Sequence, residues 1–371
     1  MRQLDAWKRW VIKIGSSILM DEAMTRLRQD WLDALADEVA AARTQGCDIL
    51  LVSSGAVALG RQRVGRAKNT ILEEKQAAAA IGQVRLMAAF EAAFARHDIP
   101  VAQALLTFDD TETRRRWLNA RATLETLREW GAIPIINEND TVATAELRYG
   151  DNDRLAARVA QMAGADLLIL LSDVDGLYDA DPRTYTDARH IGEIRALTPD
   201  IFAMAGGAAR DGVGSGGMAT KLEAAKIAWS AGCATVIMRG AALHPITRLN
   251  QGALASWFLP SQTPIRARLQ WLQGSLKPHG RVQIDDGAVA ALARGASLLP
   301  AGIIAIEGRF ERGDAVEIAD RNNKRLGKGV SAYSSEQARA LQGLRSDSFE
   351  QVLGFRGRPA LIHRDDMVLD D

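Results

Sequence analysis

Short, nearly continuous apolar runs recur through the first two-thirds of the chain, at residues 10–14, 48–52, 100–106, 133–136, 166–171 and 235–238. Runs of that length, without strict alternation, belong to strands covered on both faces. Between them lie longer amphipathic stretches at 30–44, 73–96, 115–130, 153–163 and 218–231, which predict helices. Strand and helix in alternation predict an α/β fold: an open, mainly parallel sheet sandwiched by helices. The alanines at 77–80 sit inside the second long helix and leave room for close packing. After residue 231 the rhythm changes. Pro260, Pro264 and Pro278 punctuate a polar stretch that reads as a linker. Beyond it, short strands are expected at 281–284, 302–306, 315–318 and a closing 359–363, with one early helix at 287–294. Gly308, Gly313, Gly327 and Gly329 mark the breaks between them. This gives a small, mostly β domain. The expected boundaries are 1–258 for the α/β domain, 259–277 for the linker, 278–356 for the β domain and 357–371 for a tail.

Composition narrows the partners. The chain has 46 Lys+Arg against 46 Asp+Glu, and from Pro278 onward the balance is 13 against 14. Neither part is a charged arm, so there is no strong electrostatic case for nucleic acid or an anionic membrane. Two cysteines, Cys47 and Cys233, exclude a disulfide framework and a cysteine zinc site, and fit a reducing compartment. The five histidines form no metal-ligand spacing. The N-terminal apolar run is too short for a signal peptide, and the longest aliphatic stretch, 167–171, is strand-sized. A cytoplasmic protein is expected.

The chemistry concentrates at strand ends, where open α/β sheets bind ligands. The first strand runs into Lys13-Ile14-Gly15-Ser16-Ser17. A lysine in an apolar strand suits an anion, although an edge lysine with its head in water gives the same pattern. The second strand ends in Ser53-Ser54-Gly55-Ala56 and enters a helix; a plain N-cap is the simpler explanation there. The fourth runs into Asn137-Glu138-Asn139-Asp140, followed ten residues on by Gly150-Asp151-Asn152-Asp153. These are also turn residues, but two such clusters flanking one short loop suit an amino group, a magnesium ion or a reacting oxygen. Ser172-Asp173 close the fifth strand. Finally, Gly212 to Lys221 (Gly-Val-Gly-Ser-Gly-Gly-Met-Ala-Thr-Lys) opens a helix as a phosphate cradle would. It is no Walker motif, and a dinucleotide fingerprint fails for want of a preceding strand. Two lysines, two glycine loops and a carboxylate/amide cluster, without a Ser-His or Cys-His pair, favour phosphoryl transfer by positioning and charge stabilisation.

Together, Val11-Ile-Lys13-Ile-Gly15-Ser-Ser, Val52-Ser-Ser54-Gly-Ala, Ile136-Asn-Glu-Asn-Asp140, Gly150-Asp-Asn152-Asp153 and Gly214-Ser-Gly-Gly-Met-Ala-Thr-Lys221 resemble the amino acid kinase family. The C-terminal part resembles a PUA domain through Val282-x-Ile-Asp285-x-Gly287, the 295–302 segment, and Gly308-x-Phe310-x-Arg312-Gly313-Asp314. The resemblance implies transfer of the ATP γ-phosphoryl group to the γ-carboxylate of L-glutamate, the first step of proline biosynthesis. By it, Lys13, Lys221 and Asp153 are catalytic, the lysines neutralising the phosphoryl group and Asp153 orienting them. Ser54, Asp140 and Asn152 match glutamate-binding positions. Lys13, Ser172, Asp173, Ser215, Gly216, Gly217, Met218, Ala219, Thr220 and Lys221 match nucleotide-binding ones. Magnesium would bridge the ATP phosphates, with no protein ligand named. The resemblance further implies proline as a feedback inhibitor and a homo-oligomer, dimer or tetramer. Ser172 and Ser215 stand where relatives often carry threonine, which keeps the hydroxyl; the contacts of 206–211 are not anchored by any motif. Two alternatives stay open: a sister kinase acting on acetylglutamate, aspartate or carbamate, and an RNA-binding or regulatory role through the PUA-like domain. The near-neutral C-terminal count offers that second role little phosphate attraction.

Overall fold

The first apolar run forms strand β1 (Arg9–Ile14), and the others follow as β2 (Asp48–Val52), β3 (Val101–Leu106), β4 (Ile133–Glu138), β5 (Leu167–Ser172) and β9 (Ala234–Arg239). Three two-residue strands, β6 (Leu177–Tyr178), β7 (His190–Ile191) and β8 (Glu193–Ile194), and a short β10 (Ala255–Phe258) complete the set in this part of the chain. This computed structural model describes residues 4–21, 23–24, 26–65, 71–143, 152–205, 217–264, 267 and 277–370. The chain divides into two units, Met1–Pro264 and Ile265–Asp371.

In the first unit eight strands form one sheet in the order β3-β4-β2-β1-β5-β9-β10-β8. The six strands from β3 across to β9 run parallel to one another, while β10 is antiparallel to β9. Helices lie between the strands: α1 (Ser16–Leu19), α2 (Gln29–Thr44), α3 (Ala56–Val64), α4 (Leu72–Ala95), α5 (Phe108–Glu112), α6 (Arg114–Glu129), α7 (Asn152–Ala163), α8 (Pro199–Ala203), α9 (Met218–Ser230) and α10 (Pro245–Asn250). Because side chains alternate across a strand, the two faces of the sheet collect different cores. Ile12, Ile14 and Ile169 pack with Trp31 and Leu35 of α2 and Phe90 and Phe94 of α4. Val11, Leu168 and Leu170 pack with Leu155 and Val159 of α7 and Leu222 and Ala225 of α9. Lys13 therefore points to the face that carries α7 and α9.

The alanine stretch does allow close packing. Helices α3 and α4 approach so tightly that a Cβ on Gly60 would lie 1.7 Å from the Ala78 carbonyl oxygen, and one on Gly82 as close to that of Ala56. By length and composition α4 could cross a membrane, but Leu86, Phe90 and Phe94 are fully buried in the core. Both cysteines are free and buried, and burial pushes each thiol above its ordinary value, Cys233 the further.

The second unit holds a five-stranded sheet, β12-β11-β13-β14-β15, from β11 (Gly280–Ile284), β12 (Ile303–Gly308), β13 (Ala315–Ala319), β14 (Arg325–Val330) and β15 (Met367–Leu369). Val282, Ile284, Phe310, Ile318 and Phe349 lie in its core, with the helix Ser335–Leu341 closed at its N-terminus by a Ser334–Gln337 capping box. Two expectations are corrected here. Residues 359–363 make only an isolated bridge, Leu298 to Ile362, and the closing strand is β15. Gly327 and Gly329 are not breaks but lie inside β14, where the chain crosses so near that a Cβ would meet the Val368 carbonyl oxygen at 2.2 Å and the Ile362 side chain at 2.6 Å.

Candidate active site

A lysine in the middle of a parallel sheet needs a counter-charge, and the register shows where it comes from. Lys13 pairs with Val52 of β2 and Leu170 of β5, so it sits at the C-terminal ends of the central strands. Its Nζ lies 2.5 Å from Asp153 Oδ1, on the first turn of α7. The other oxygen of the same carboxylate, Oδ2, accepts from Lys221 Nζ at 3.0 Å, on the first turn of α9. Lys13 is 6%, Asp153 0% and Lys221 4% exposed. Two ammonium groups meet one carboxylate away from solvent, fixed charges to which a bound anion would be attracted.

Backbone dipoles add to that charge. Helix α9 is preceded by Gly217 at its N-cap, which supplies no capping side chain, so the first-turn N–H groups of Met218 and Ala219 face outward from the helix end. Gly15 precedes α1 with φ −70°, and a Cβ there would meet its nearest atoms only at 3.6 Å or more. Among the described residues neither backbone conformation nor packing calls for glycine at that position, which leaves room for a ligand to approach the backbone. Ser172, one residue beyond the Ile14–Leu171 pair, donates through Oγ to Asp173 Oδ1 at 2.9 Å. Thr220 Oγ1 donates to the Gly217 carbonyl at 2.8 Å.

On the β2–β4 side the polar groups are amides. Asn152, next to Asp153, donates through Nδ2 to the Ser53 carbonyl at 2.5 Å, to Ser54 Oγ at 3.0 Å and to Asn137 Oδ1 at 2.8 Å. Asp140 stands on the turn just past β4, where with Ala56, Gln83 and Asn139 it lines a cavity of about 160 Å³. The structure thus brings Lys13, Asp153 and Lys221 into one cluster and joins Ser54 to Asn152, with Asp140 on the adjoining cavity. Ser215, Gly216, Gly150, Asp151 and the 206–211 loop lie outside the described residues. Among the described residues no group of His, Cys, Asp and Glu is arranged to hold a metal ion.

Two contributors are not evident from the sequence motifs. Asn137 belongs there to a polar run, yet it is 3% exposed and bonds directly to Asn152. Gln83 on α4 belongs to no motif; its Oε1 accepts from Asn137 Nδ2 at 2.9 Å. A signal existed: Gln83 falls in the series Ala79, Gln83, Leu86, Phe90, the buried stripe of an otherwise apolar helix face.

Comparison with known proteins agrees with this architecture. Residues 8–239 match the model of the amino acid kinase family, and residues 280–353 that of the PUA domain. The glutamate 5-kinase of Paramagnetospirillum magneticum is 56% identical over 370 residues, spanning 100% of both chains. That of Rhodospirillum rubrum is 54% identical over 364 residues, 97% of this chain and 96% of its own. Among solved structures, the UMP kinase from Ureaplasma parvum aligns at 14% identity with a TM-score of 0.49, over 70% of this chain and 100% of that one. With the family model matching residues 8–239, which span strands β1 to β9 and more than half of the chain, the chain belongs to the amino acid kinase family.

Proposed function

We propose that this chain transfers the γ-phosphoryl group of ATP to the γ-carboxylate of L-glutamate, giving γ-glutamyl phosphate and ADP as the first step of proline biosynthesis. The observation that carries the chemistry is the buried Lys13–Asp153–Lys221 bridge. The choice of glutamate is supported by identity above 50% along the full length of glutamate 5-kinases. A carboxylate oxygen attacks the γ-phosphorus while the oxygen bridging to the β-phosphate leaves with ADP. The nucleophile is already an anion, so no strong base is needed; the obstacle is bringing two anions together. Lys13 and Lys221 offset that repulsion and the charge on the transferring group, and Asp153 holds both ammonium groups in place. The backbone N–H groups at Gly15 and at the start of α9 add fixed dipoles. Ser172, Asp173 and the 215–221 segment hold the nucleotide, and magnesium enters as its phosphate complex. Ser54 and Asn152 bind glutamate, and Asp140 pairs with its ammonium group. Feedback by proline at the same site, assembly into dimers or tetramers and a cytoplasmic location belong to this reading.

The test is magnesium- and ATP-dependent ADP release with glutamate, aspartate, N-acetylglutamate and carbamate, trapping acyl phosphates with hydroxylamine. Glutamate alone should support turnover and trapped product. No turnover with glutamate overturns the proposal, and turnover with one of the others selects a sister kinase. Within this scheme Asp140→Ala should raise the glutamate KM by at least about tenfold, the loss of a charge-assisted contact, with the ATP KM unchanged. Initial rates against each substrate would read that split.

A further inference from the structure

A line of amides runs from Asn152 on α7 through Asn137 to Gln83 on α4, and the backbone fixes its polarity. Asn152 Nδ2 faces the Ser53 carbonyl oxygen at 2.5 Å, which can only accept. Asn137 Oδ1 faces the N–H of Glu138 at 2.9 Å, which can only donate. Neither amide can be turned over without setting like groups against each other. With those ends set, Asn152 Nδ2 also donates to Ser54 Oγ and to Asn137 Oδ1, so the group Asn152 offers elsewhere is its Oδ1. That is an acceptor, suited to an ammonium group and not to a carboxylate. Asn137 Nδ2 needs an acceptor of its own and finds Gln83 Oε1 at 2.9 Å; Gln83 Nε2 in turn points to Gln103 Oε1 at 3.4 Å.

We infer that Gln83 is a positioning residue of the glutamate site: by accepting from Asn137 it holds the Asn137 and Asn152 amides in the orientation that presents Asn152 Oδ1 to the substrate ammonium. The inference rests on the reading of Asn152 as a substrate contact. Without the acceptor, Asn137 Nδ2 is buried with no partner, and turning the amide over gives it none, because the Glu138 N–H and Asn152 Nδ2 are themselves donors. The side chain relieves that loss only by leaving its place, and Asn152, bonded to its Oδ1, shifts with it. The close approach of α3 and α4 through Gly60 and Gly82 keeps Gln83 from following.

The experiment uses the full chain. Wild-type turnover of glutamate is measured first and reports on the activity reading by itself. Gln83→Met, which removes the acceptor at similar size, should raise the glutamate KM roughly tenfold, with kcat within about threefold and the ATP KM unchanged. Gln83→Glu keeps an acceptor and should stay within about threefold of wild type in every parameter. Gln83→Met combined with Asn137→Ala should be no worse in glutamate KM than Asn137→Ala alone, as expected when one residue acts through the other. If Gln83 instead touched a substrate carboxylate, Gln83→Glu would be the more damaging change. That result, additive effects in the double variant, or a fall in melting temperature with the glutamate KM unmoved, would overturn the inference.

Discussion

Asp153→Asn should lower kcat by at least about a hundredfold and the melting temperature by roughly 10 °C. The reason lies in its geometry. One fully buried carboxylate receives Lys13 on one oxygen and Lys221 on the other, and both ammonium groups are almost entirely out of water. Asparagine fits the same space but has one acceptor. Its amide nitrogen would face an ammonium group, donor against donor, and the compensating negative charge would be gone. Breaking a buried pair by removing one partner costs about 3–5 kcal/mol, because the remaining charge is left without compensation. Here two ammonium groups lose the same carboxylate. Nucleotide should restore part of the lost stability, since its phosphates supply anions to the same lysines, so thermal melts with and without magnesium-ATP are the informative pair. Turnover should not recover with it, because the lysines are no longer held where the phosphoryl group passes. A variant with wild-type melting and wild-type kcat would mean that the lysines are anchored by something other than this carboxylate.

That bridge was partly legible in the sequence, and the manner of it is instructive. Lys13 stood out because a charged residue in an apolar strand is costly without a partner. Asp153 and Lys221 stood out as helix-opening residues. What joins them is the side-chain alternation of β1, which sends Lys13 to the same face as Val11 and so towards α7 and α9. The main strands and long helices were legible for the same reason: runs covered on both faces and amphipathic stripes write themselves into local sequence. β10 was not, because Ala255–Phe258 is four residues long and interrupted by Ser256, which is used to cap the Leu177 N–H. β14 is hidden because glycine ordinarily breaks a strand, whereas Gly327 and Gly329 are there to let a neighbouring segment pass. The amide line failed to show for a third reason. Gln83 and Asn137 are 54 residues apart and meet only because α4 folds back across the sheet. Local pattern carries no trace of such a pairing beyond the polar residue on a buried face.

Lys221→Ala should reduce kcat by about a thousandfold or more, while the glutamate KM stays within a few-fold of wild type. Of the two lysines on Asp153, Lys221 is the one placed on a helix whose own N-terminal N–H groups point to the same region, so charge and dipole act on one spot. With ATP bound as its magnesium complex, much of the phosphate charge would already be screened in the ground state, and the lysine would add only modest binding. As the γ-phosphoryl group passes between two anionic oxygens, a fixed ammonium group in a buried site acts on charge that water would otherwise have to reorganise around. Its removal is therefore felt in turnover before affinity. Lys221→Arg should not rescue. A guanidinium is planar and larger, the native head group is 4% exposed, and a single Asp153 oxygen at 3.0 Å accepts a point charge better than a fork. Stability provides the internal control. Lys221→Ala leaves Asp153 still paired with Lys13, so its melting temperature should fall less than that of Asp153→Asn. Set beside Asp140→Ala, the division of labour becomes measurable: the phosphate-facing lysine should change kcat, and the ammonium-facing carboxylate should change the glutamate KM. If both variants moved the same parameter by the same factor, the assignment of Lys221 to the phosphoryl group and Asp140 to the amino group would fall.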